Sequence, residues 1–418
     1  MVQTRTKTLL RNKIVKILSL LLLVRVGLYL PVPGVDLDIL SKGSSLNPLF
    51  GFAKSLVGNS FLGIGTLGIL PYINASIVIQ LLTPLFPALE RLQKEEGEFG
   101  RQQLTKYTRY LTFLWALVLS AVTAFFLVKP LVFDWSLIIG FQVTLALTVG
   151  SILSMWFAEL ITEEGLGNGS SMIIFINIVG GIPNNMGDLN TLMLNQTSFE
   201  SINLLFKNSA FYLLIVLTVI LFQDSYKKIH LISAKQLNTS TITETKLTES
   251  FIPLKLNQGG IMPLVFSSTV ATFMLYPAQL ALSSLAFITP AAGTQLLTIY
   301  SLVINIVLII FFSCFYVSLA LKPKDMAENL SKMAYTIQGI RQGKATRKYL
   351  EKISNRLAFV SGIFLAILAF FPILAGSFLN ITIFKNLTSL LILVGVVTDT
   401  TSQIQGYLVS TSYEVKKT

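Results

Sequence analysis

Charge is scarce in this chain. Of its 418 residues 12% are charged and 53% are hydrophobic, whereas a soluble globular domain carries roughly 25% charged residues. A chain this long and this poor in charge cannot cover a water-facing surface, so lipid must solvate much of it. The 29 phenylalanines and a mean hydropathy of +0.69 agree. Cysteine and histidine are scarcer still, one of each, Cys314 and His230. A disulfide framework within the chain is excluded, and so is a Cys/His metal cluster. Cys314 lies in an apolar run and reads as a small packed core residue. A single loop histidine leaves little material for acid–base work inside a membrane. Gly-x-x-x-x-Gly-Lys-Ser/Thr, His-Glu-x-x-His and Gly-x-Ser-x-Gly are all absent, which argues against ATP hydrolysis and two hydrolase classes. No residue set calls for a cofactor, and the chain reads as a non-enzyme.

What charge there is lies between apolar runs and is mostly positive, with 32 Lys and Arg against 20 Asp and Glu. In a soluble protein this balance suggests nucleic acid; here the positive-inside rule is the better reading. Apolar runs of spanning length lie near 14–31, 67–86, 109–128, 136–158, 170–183, 204–222, 261–282, 296–321, 357–375 and 387–409. Arg25 interrupts the first run and no small-x-small cleavage site follows, so it reads as a retained span rather than a signal peptide. With the N-terminus inside, the cytoplasmic segments hold the basic clusters after spans two, six and eight, and the outer segments hold few. One loop resists. Glu159, Glu163 and Glu164 follow span four with no Lys or Arg among them.

Ten spans divide into five and five, residues 1–203 and 204–418. An odd number per half inverts the second half relative to the first, an arrangement that commonly clasps a central pathway. The fold expected is an all-α membrane protein of ten transmembrane helices in two inverted halves around a pore. Two long cytoplasmic loops, 223–258 and 322–356, either hold topology or dock a soluble partner or RNA. Ion-coupled transporters mark their route with intramembrane charges. Here only Arg25, Asp399 and Glu159 qualify, as structural glue or as the lining of a wet cavity.

Residues 47–66 are too broken to span and too apolar for an ordinary loop. Leu49, Phe50, Phe52, Leu56 and Val57 could form one face of a short helix, with Gly58, Gly63 and Gly65 as hinges. Two readings stand: a re-entrant segment that blocks a cavity, and an amphipathic loop lying on the surface.

Several stretches together resemble the SecY family, the pore subunits of the Sec protein translocase. They are Arg25-Val-Gly-Leu-Tyr-Leu-Pro-Val-Pro-Gly34, Leu67-Gly-Ile-Leu-Pro-Tyr-Ile-Asn-Ala-Ser76, Glu95-Glu-Gly-Glu-Phe-Gly-Arg101 with Tyr107-Thr-Arg-Tyr110, Ile161-Thr-Glu-Glu-Gly-Leu-Gly-Asn-Gly169, Pro323-Lys-Asp-Met-Ala-Glu-Asn-Leu330 and Gly339-Ile-Arg-Gln-Gly343. The resemblance runs from about residue 10 to 414. It implies a clamshell around an hourglass pore, sealed at the waist by Ile69, Ile73, Ile174 and Ile178, with Val265 and Val397 as further matches. By spacing alone these six read as ordinary core. It also implies a plug at about 47–63, a lateral gate between spans two and three and spans seven and eight, and docking of a motor or ribosome through Arg341, Lys344, Lys227 and Lys228. Gln342 stands where the family has proline, and the loop after span six carries fewer arginines than is usual.

The implied partners are a SecE-type small membrane subunit, a SecA-type ATPase motor, the ribosome, signal-bearing preproteins and lipid. The run Leu92–Glu98 and the near absence of Cys and His look most like plastid-encoded algal members, which implies the thylakoid membrane, with a bacterial inner membrane as the alternative. A solute transporter and a pore-less insertase or scaffold are the competing readings. The sparse buried charges and the plug-like stretch favour the channel.

Overall fold

The computed structural model describes residues 2–32, 63–129, 135–165, 167–194, 198–233, 250–260, 262–267, 270–271, 274, 290–379 and 387–417. Helices follow the Leu-, Ile-, Val- and Phe-rich runs, because a segment surrounded by lipid must satisfy its backbone polar groups internally. They are α1 (Val2–Tyr29), α2 (Leu70–Leu82), α3 (Pro87–Lys94), α4 (Gly97–Val122), α5 (Leu137–Glu163), α6 (Gly169–Leu194), α7 (Ser198–Asp224), α8 (Pro290–Leu321), α9 (Pro323–Lys332), α10 (Lys344–Leu379) and α11 (Leu387–Lys417). Among the described residues four helices are long and apolar enough to cross a membrane: Gly97–Phe125, Leu137–Glu163, Tyr300–Lys332 and Lys344–Phe371. The pair Leu70–Leu82 and Pro87–Gln93, bent by 106°, is a fifth candidate, and Gly169–Gly181 and Leu213–Asp224 are shorter apolar helices. Where ten spans are expected, the structure thus carries several apolar helices. The second run breaks because Pro87, in the first turn of α3, starts a new helix rather than extending the old one.

Contacts divide the chain into two compact units, Met1–Gln196 with Asp399–Thr418, and Thr197–Thr398. In the first, Val32, Leu67, Ala124, Val128, Val143 and Leu147 form the core. The Ser120 and Thr148 hydroxyls, 2.7 Å apart, join α4 to α5 inside it. Residues 63–65 are stitched to the end of α1: Ile64 N–H donates to the Leu30 carbonyl (2.8 Å) and Gly65 N–H to that of Gly27 (2.9 Å). Gly63 and Gly65 are therefore close-approach glycines, not hinges. A Cβ on Gly63 would collide with the Leu28 carbonyl, and one on Gly65 would stand 3.1 Å from the backbone of Gly27. Gly58 and the five apolar plug residues Leu49, Phe50, Phe52, Leu56 and Val57 lie outside the described residues.

In the second unit, Ile215, Val219, Leu264, Ile309, Leu365 and Leu390 belong to one core cluster. Helices α8 and α10 approach through small residues. Ser313 donates to the Ala358 carbonyl at 3.0 Å, and a Cβ on Gly362 would lie 3.1 Å from the Ile310 Cα. Small residues at such crossings give close backbone contact where lipid removes the hydrophobic drive.

The all-α expectation needs one correction. The two long loops carry strands, β1 (Tyr226–Ser233), β2 (Ser250–Lys255) and β3 (Tyr335–Ile337), in one antiparallel sheet ordered β2-β1-β3. Alternation makes the sheet: Ile229 and Leu254 point into a cluster with Leu330, Ile337, Leu350 and Ile353, while their neighbours face out. Pro253 is tolerated because β2 is an edge strand.

Candidate functional site

Two sites emerge, one in each unit. In the first unit, Ile69 caps the N-terminus of α2 and Ile73 lies in its first turn; they are 3% and 4% exposed. Gly68, at φ +49°, turns the chain into α2, and a Cβ there would stand 3.8 Å from the Asn177 Nδ2 of α6. Asn177 lies between Ile174 and Ile178, both partly buried, while Ile173 is fully buried. The turn into α2 thus approaches the stretch of α6 that carries Ile174 and Ile178. In the second unit, Val265 is 8% exposed and Val397 43% exposed. Their neighbours Leu264 and Val394 share the core cluster.

Polar groups border this apolar neighbourhood. Arg25 Nη2 donates to the Tyr29 hydroxyl at 3.3 Å, and the guanidinium lies over the Tyr29 ring, 5.4 Å from its centroid. Glycine at 180 leaves the space that the guanidinium fills on α6. Arg25 Nη1 and the Asn177 Oδ1 are buried without a hydrogen-bond partner among the described residues. The sequence alone does not single out Asn177; its signal is an amide amid an isoleucine-rich turn.

The acidic loop after span four finds its partners in other helices. Arg109 of α4 meets Glu159 of α5 in a fork, Nε to both carboxylate oxygens (3.0 and 3.1 Å) and Nη2 to Oε2 at 2.8 Å. Lys16 of α1 pairs with Glu164 (3.0 Å), and Lys13 Nζ donates to the Glu164 carbonyl (2.8 Å). Lys13 also lies over the Tyr407 ring at 5.0 Å. The missing local Lys or Arg is explained: α1 and α4 supply the cations, and Glu159 acts as structural glue.

The second site is the sheet. β1 pairs with β3 through Leu231↔Ile337 and Ser233↔Tyr335, so the loop carrying Lys227 and Lys228 and the loop carrying Arg341 and Lys344 form one platform. All four side chains are exposed. Gly339 (φ +77°) and Gly343 (φ +89°) bracket the Arg341 turn, a conformation that other residues adopt at a cost. Ile340 anchors it to the apolar cluster, and Thr346 Oγ1 donates to the Arg341 carbonyl at 2.9 Å. The outer face of the sheet adds residues that the sequence does not single out. Tyr226 stands opposite Lys255, Lys228 opposite Pro253 and His230 opposite Phe251. Lys228 Nζ sits 5.0 Å from the Phe251 ring centroid and 5.8 Å from that of Tyr226, in range for cation–π attraction. The alternation Tyr226, Lys228, His230 is the available signal. It lacks only the partner strand.

Known proteins resemble this chain in sequence and in fold. The family model SecY matches residues 63–401. The protein translocase subunit SecY of Emiliania huxleyi is 69% identical over 420 residues, covering 99% of each chain. That of Guillardia theta is 43% identical over 412 residues, covering 97% of this chain and 96% of its own. Three solved structures share the fold. A protein-conducting channel gives a TM-score of 0.67 at 18% identity, covering 94% of this chain and 92% of its own. A SecY channel whose plug domain stabilises the closed state gives 0.63 at 16%, with 94% and 91% covered. Sec61 in a canine ribosome-channel complex gives 0.61 at 15%, with 94% and 92% covered.

Proposed function

We infer, because this chain belongs to the SecY family, that it is a protein-conducting channel subunit of a membrane. The observation that carries this is the family match over residues 63–401. Nothing in the relatives supports the solute-transporter alternative.

The finer mechanism is our reading. Residues 1–203 and 204–418 form two five-span halves around the pathway. Ile69, Ile73, Ile174 and Ile178 line its neck from the first half, and Val265 and Val397 from the second. A narrow apolar neck excludes water and so resists ions. Branched aliphatic side chains yield to a passing polypeptide of any sequence, since they offer it no specific hydrogen bonds. Residues 47–63 serve as the plug, with Leu49, Phe50, Phe52, Leu56 and Val57 as its apolar face, supported by the tethering of 63–65 to α1. Apolar segments leave sideways into lipid, driven by about 25 cal/mol per Å² of apolar surface removed from water, so the channel sorts segments by hydrophobicity. The chain catalyses no reaction; the push comes from outside.

The platform is where that push arrives. Lys227, Lys228, Arg341 and Lys344 are exposed on one sheet-centred body, a basic surface suited to RNA phosphates or acidic protein. The canine relative's ribosome complex supports a ribosome as partner. A SecA-type motor on the platform and a SecE-type membrane subunit complete the assembly we propose. The kinship with Emiliania huxleyi supports a plastid thylakoid setting.

Site-specific crosslinking from Ile73 and Ile178 to a stalled secretory chain tests the neck. Adducts at both positions are expected, with none from lipid-facing Leu22, which is 63% exposed. Adducts with lipid alone at Ile73 and Ile178 would remove the neck assignment.

A further inference from the structure

The sheet and the helical core of the second unit meet at one buried amide. β2 ends at Lys255, and the Leu256 N–H donates to the Ser225 carbonyl at 2.9 Å, just past the end of α7. Asn257 follows, 6% exposed. Its Nδ2 donates to the Gly260 carbonyl at 3.1 Å, and its Oδ1 accepts from the Ser361 hydroxyl of α10 at 3.3 Å. A carbonyl can only accept, so Gly260 fixes which end of the amide faces Ser361. Gly260, at φ +59°, turns the chain, and a short helix over 262–267 begins, carrying the candidate neck residue Val265. Leu264 anchors that helix in the core cluster, and the Phe266 ring centroid lies 5.7 Å from that of Phe312 in α8. Ser361 is itself fully buried. It stands one helical turn after Leu357, in the cluster under the sheet, and one before Leu365, in the core cluster. Asn257 thus sits at the seam where one apolar cluster gives way to the other.

We propose, on the reading of the chain as a channel docked through its sheet, that Asn257 is a positioning residue: it fixes the helix over 262–267 to α10, so that a partner seated on the platform moves Val265. Apolar contact has no fixed direction, so the side chains on either side of the seam can slide past one another. A buried hydrogen bond cannot slide, because the amide left unpaired in the interior is costly. The bond also reaches more than one side chain. Next to Ser361, α10 is closed against α8 by the Ser313 bond to the Ala358 carbonyl and by the approach of Gly362 to Ile310. Asn257 therefore ties its turn to a pair of packed helices. Without it the platform keeps its fold, since the residues of its apolar cluster are others, and so it keeps its partner. What is lost is the movement passed to Val265. A residue that only stabilised the unit would weaken binding and transport together.

The test uses the full chain reconstituted in vesicles with its membrane partner and given ribosomes that translate a signal-bearing preprotein. Two quantities are read, the affinity for the ribosome and the preprotein transported per bound ribosome. Ser361→Ala removes the donor from α10 and leaves the bond from Asn257 to Gly260. It should bind ribosomes within twofold of wild type and transport severalfold less per bound ribosome. Asn257→Ala should lose at least as much. Both changes break one bond, so the double variant should transport no less than Asn257→Ala alone. Ser361→Ala carries the test even where Asn257→Ala fails to accumulate. Unchanged transport per bound ribosome in Ser361→Ala would overturn the proposal. So would binding and transport that fall together, or losses that multiply in the double variant. Wild type that binds ribosomes and transports nothing would instead strike the channel reading, and wild type that binds none would strike the platform.

Discussion

Gly63 shows what one absent methyl group does. Its Cα faces the Leu28 carbonyl so closely that any Cβ would collide with backbone, which cannot swing aside. Gly63→Ala should therefore destabilise the protein by about 1–3 kcal/mol, the usual cost of overpacking, read as a lower melting temperature of the purified complex. Gly181 is the contrast: it sits in α6, and a methyl group added there would meet nothing within 4 Å. Gly181→Ala should leave the melting temperature unchanged or raise it, since alanine in a helix gains roughly 0.5–1 kcal/mol over glycine. The sequence marks both positions alike. A glycine says that a side chain is unwanted, and only the neighbouring backbone says whether the reason is a turn or a collision. Glu159 teaches the same lesson for charge. The end of α5 around it lacks a cation, and its partner stands 50 residues earlier in the chain, beyond any local pattern.

At the scale of elements, helices were legible because lipid forces each apolar run to satisfy its own backbone. The observed α4 with the π-helical turn Thr123–Val128 that continues it, α5, α7 and α8 match the runs expected near 109–128, 136–158, 204–222 and 296–321. The sheet was not legible. β1, Tyr226–Ser233, pairs with β3 more than 100 residues on, and β3 has only 3 residues, too few to announce a strand. Its pairing is nonetheless what joins the two basic loops. Ile337, 4% exposed in the cluster beneath the sheet, is the place to break it. Ile337→Asp would bury an unpaired charge at a cost of several kcal/mol and should unfold the platform locally. The expected outcome is loss of ribosome binding and of motor-driven transport in the reconstituted complex, with the resting membrane conductance unaltered. If ribosome binding persists at wild-type affinity, the sheet is not the docking body.

At the scale of the whole molecule, the family was readable from ordered motifs, but the approach of the turn before α2 to α6 was not. Ile69, Ile73, Ile174 and Ile178 have the spacing of ordinary core residues, and the approach of Gly68 to Asn177 joins segments over 100 residues apart that no local pattern relates. The plug reading can be tested at this scale. Deleting residues 49–60 should leave a membrane leaky to ions, because in the proposed reading the remaining seal is a single ring of side chains. Planar bilayers with unchanged conductance would remove the plug assignment.

Helix α10 has a mechanical consequence. Its stretch Lys344–Phe371 runs 28 residues, about 42 Å at 1.5 Å per residue. Leu350 and Ile353 lie under the sheet at one end, and Leu365 and Leu368 lie in the core cluster of the second unit at the other. Its one internal glycine before Pro372, Gly362, is wedged against Ile310 rather than free to bend. A continuous α-helix is stiff over such a length, so a tug on the Arg341 turn arrives among Ile309 and Leu390 as a tilt of one rod. Whatever grips that turn thereby holds the handle of a crowbar whose tip is already wedged among Ile309, Leu365 and Leu390.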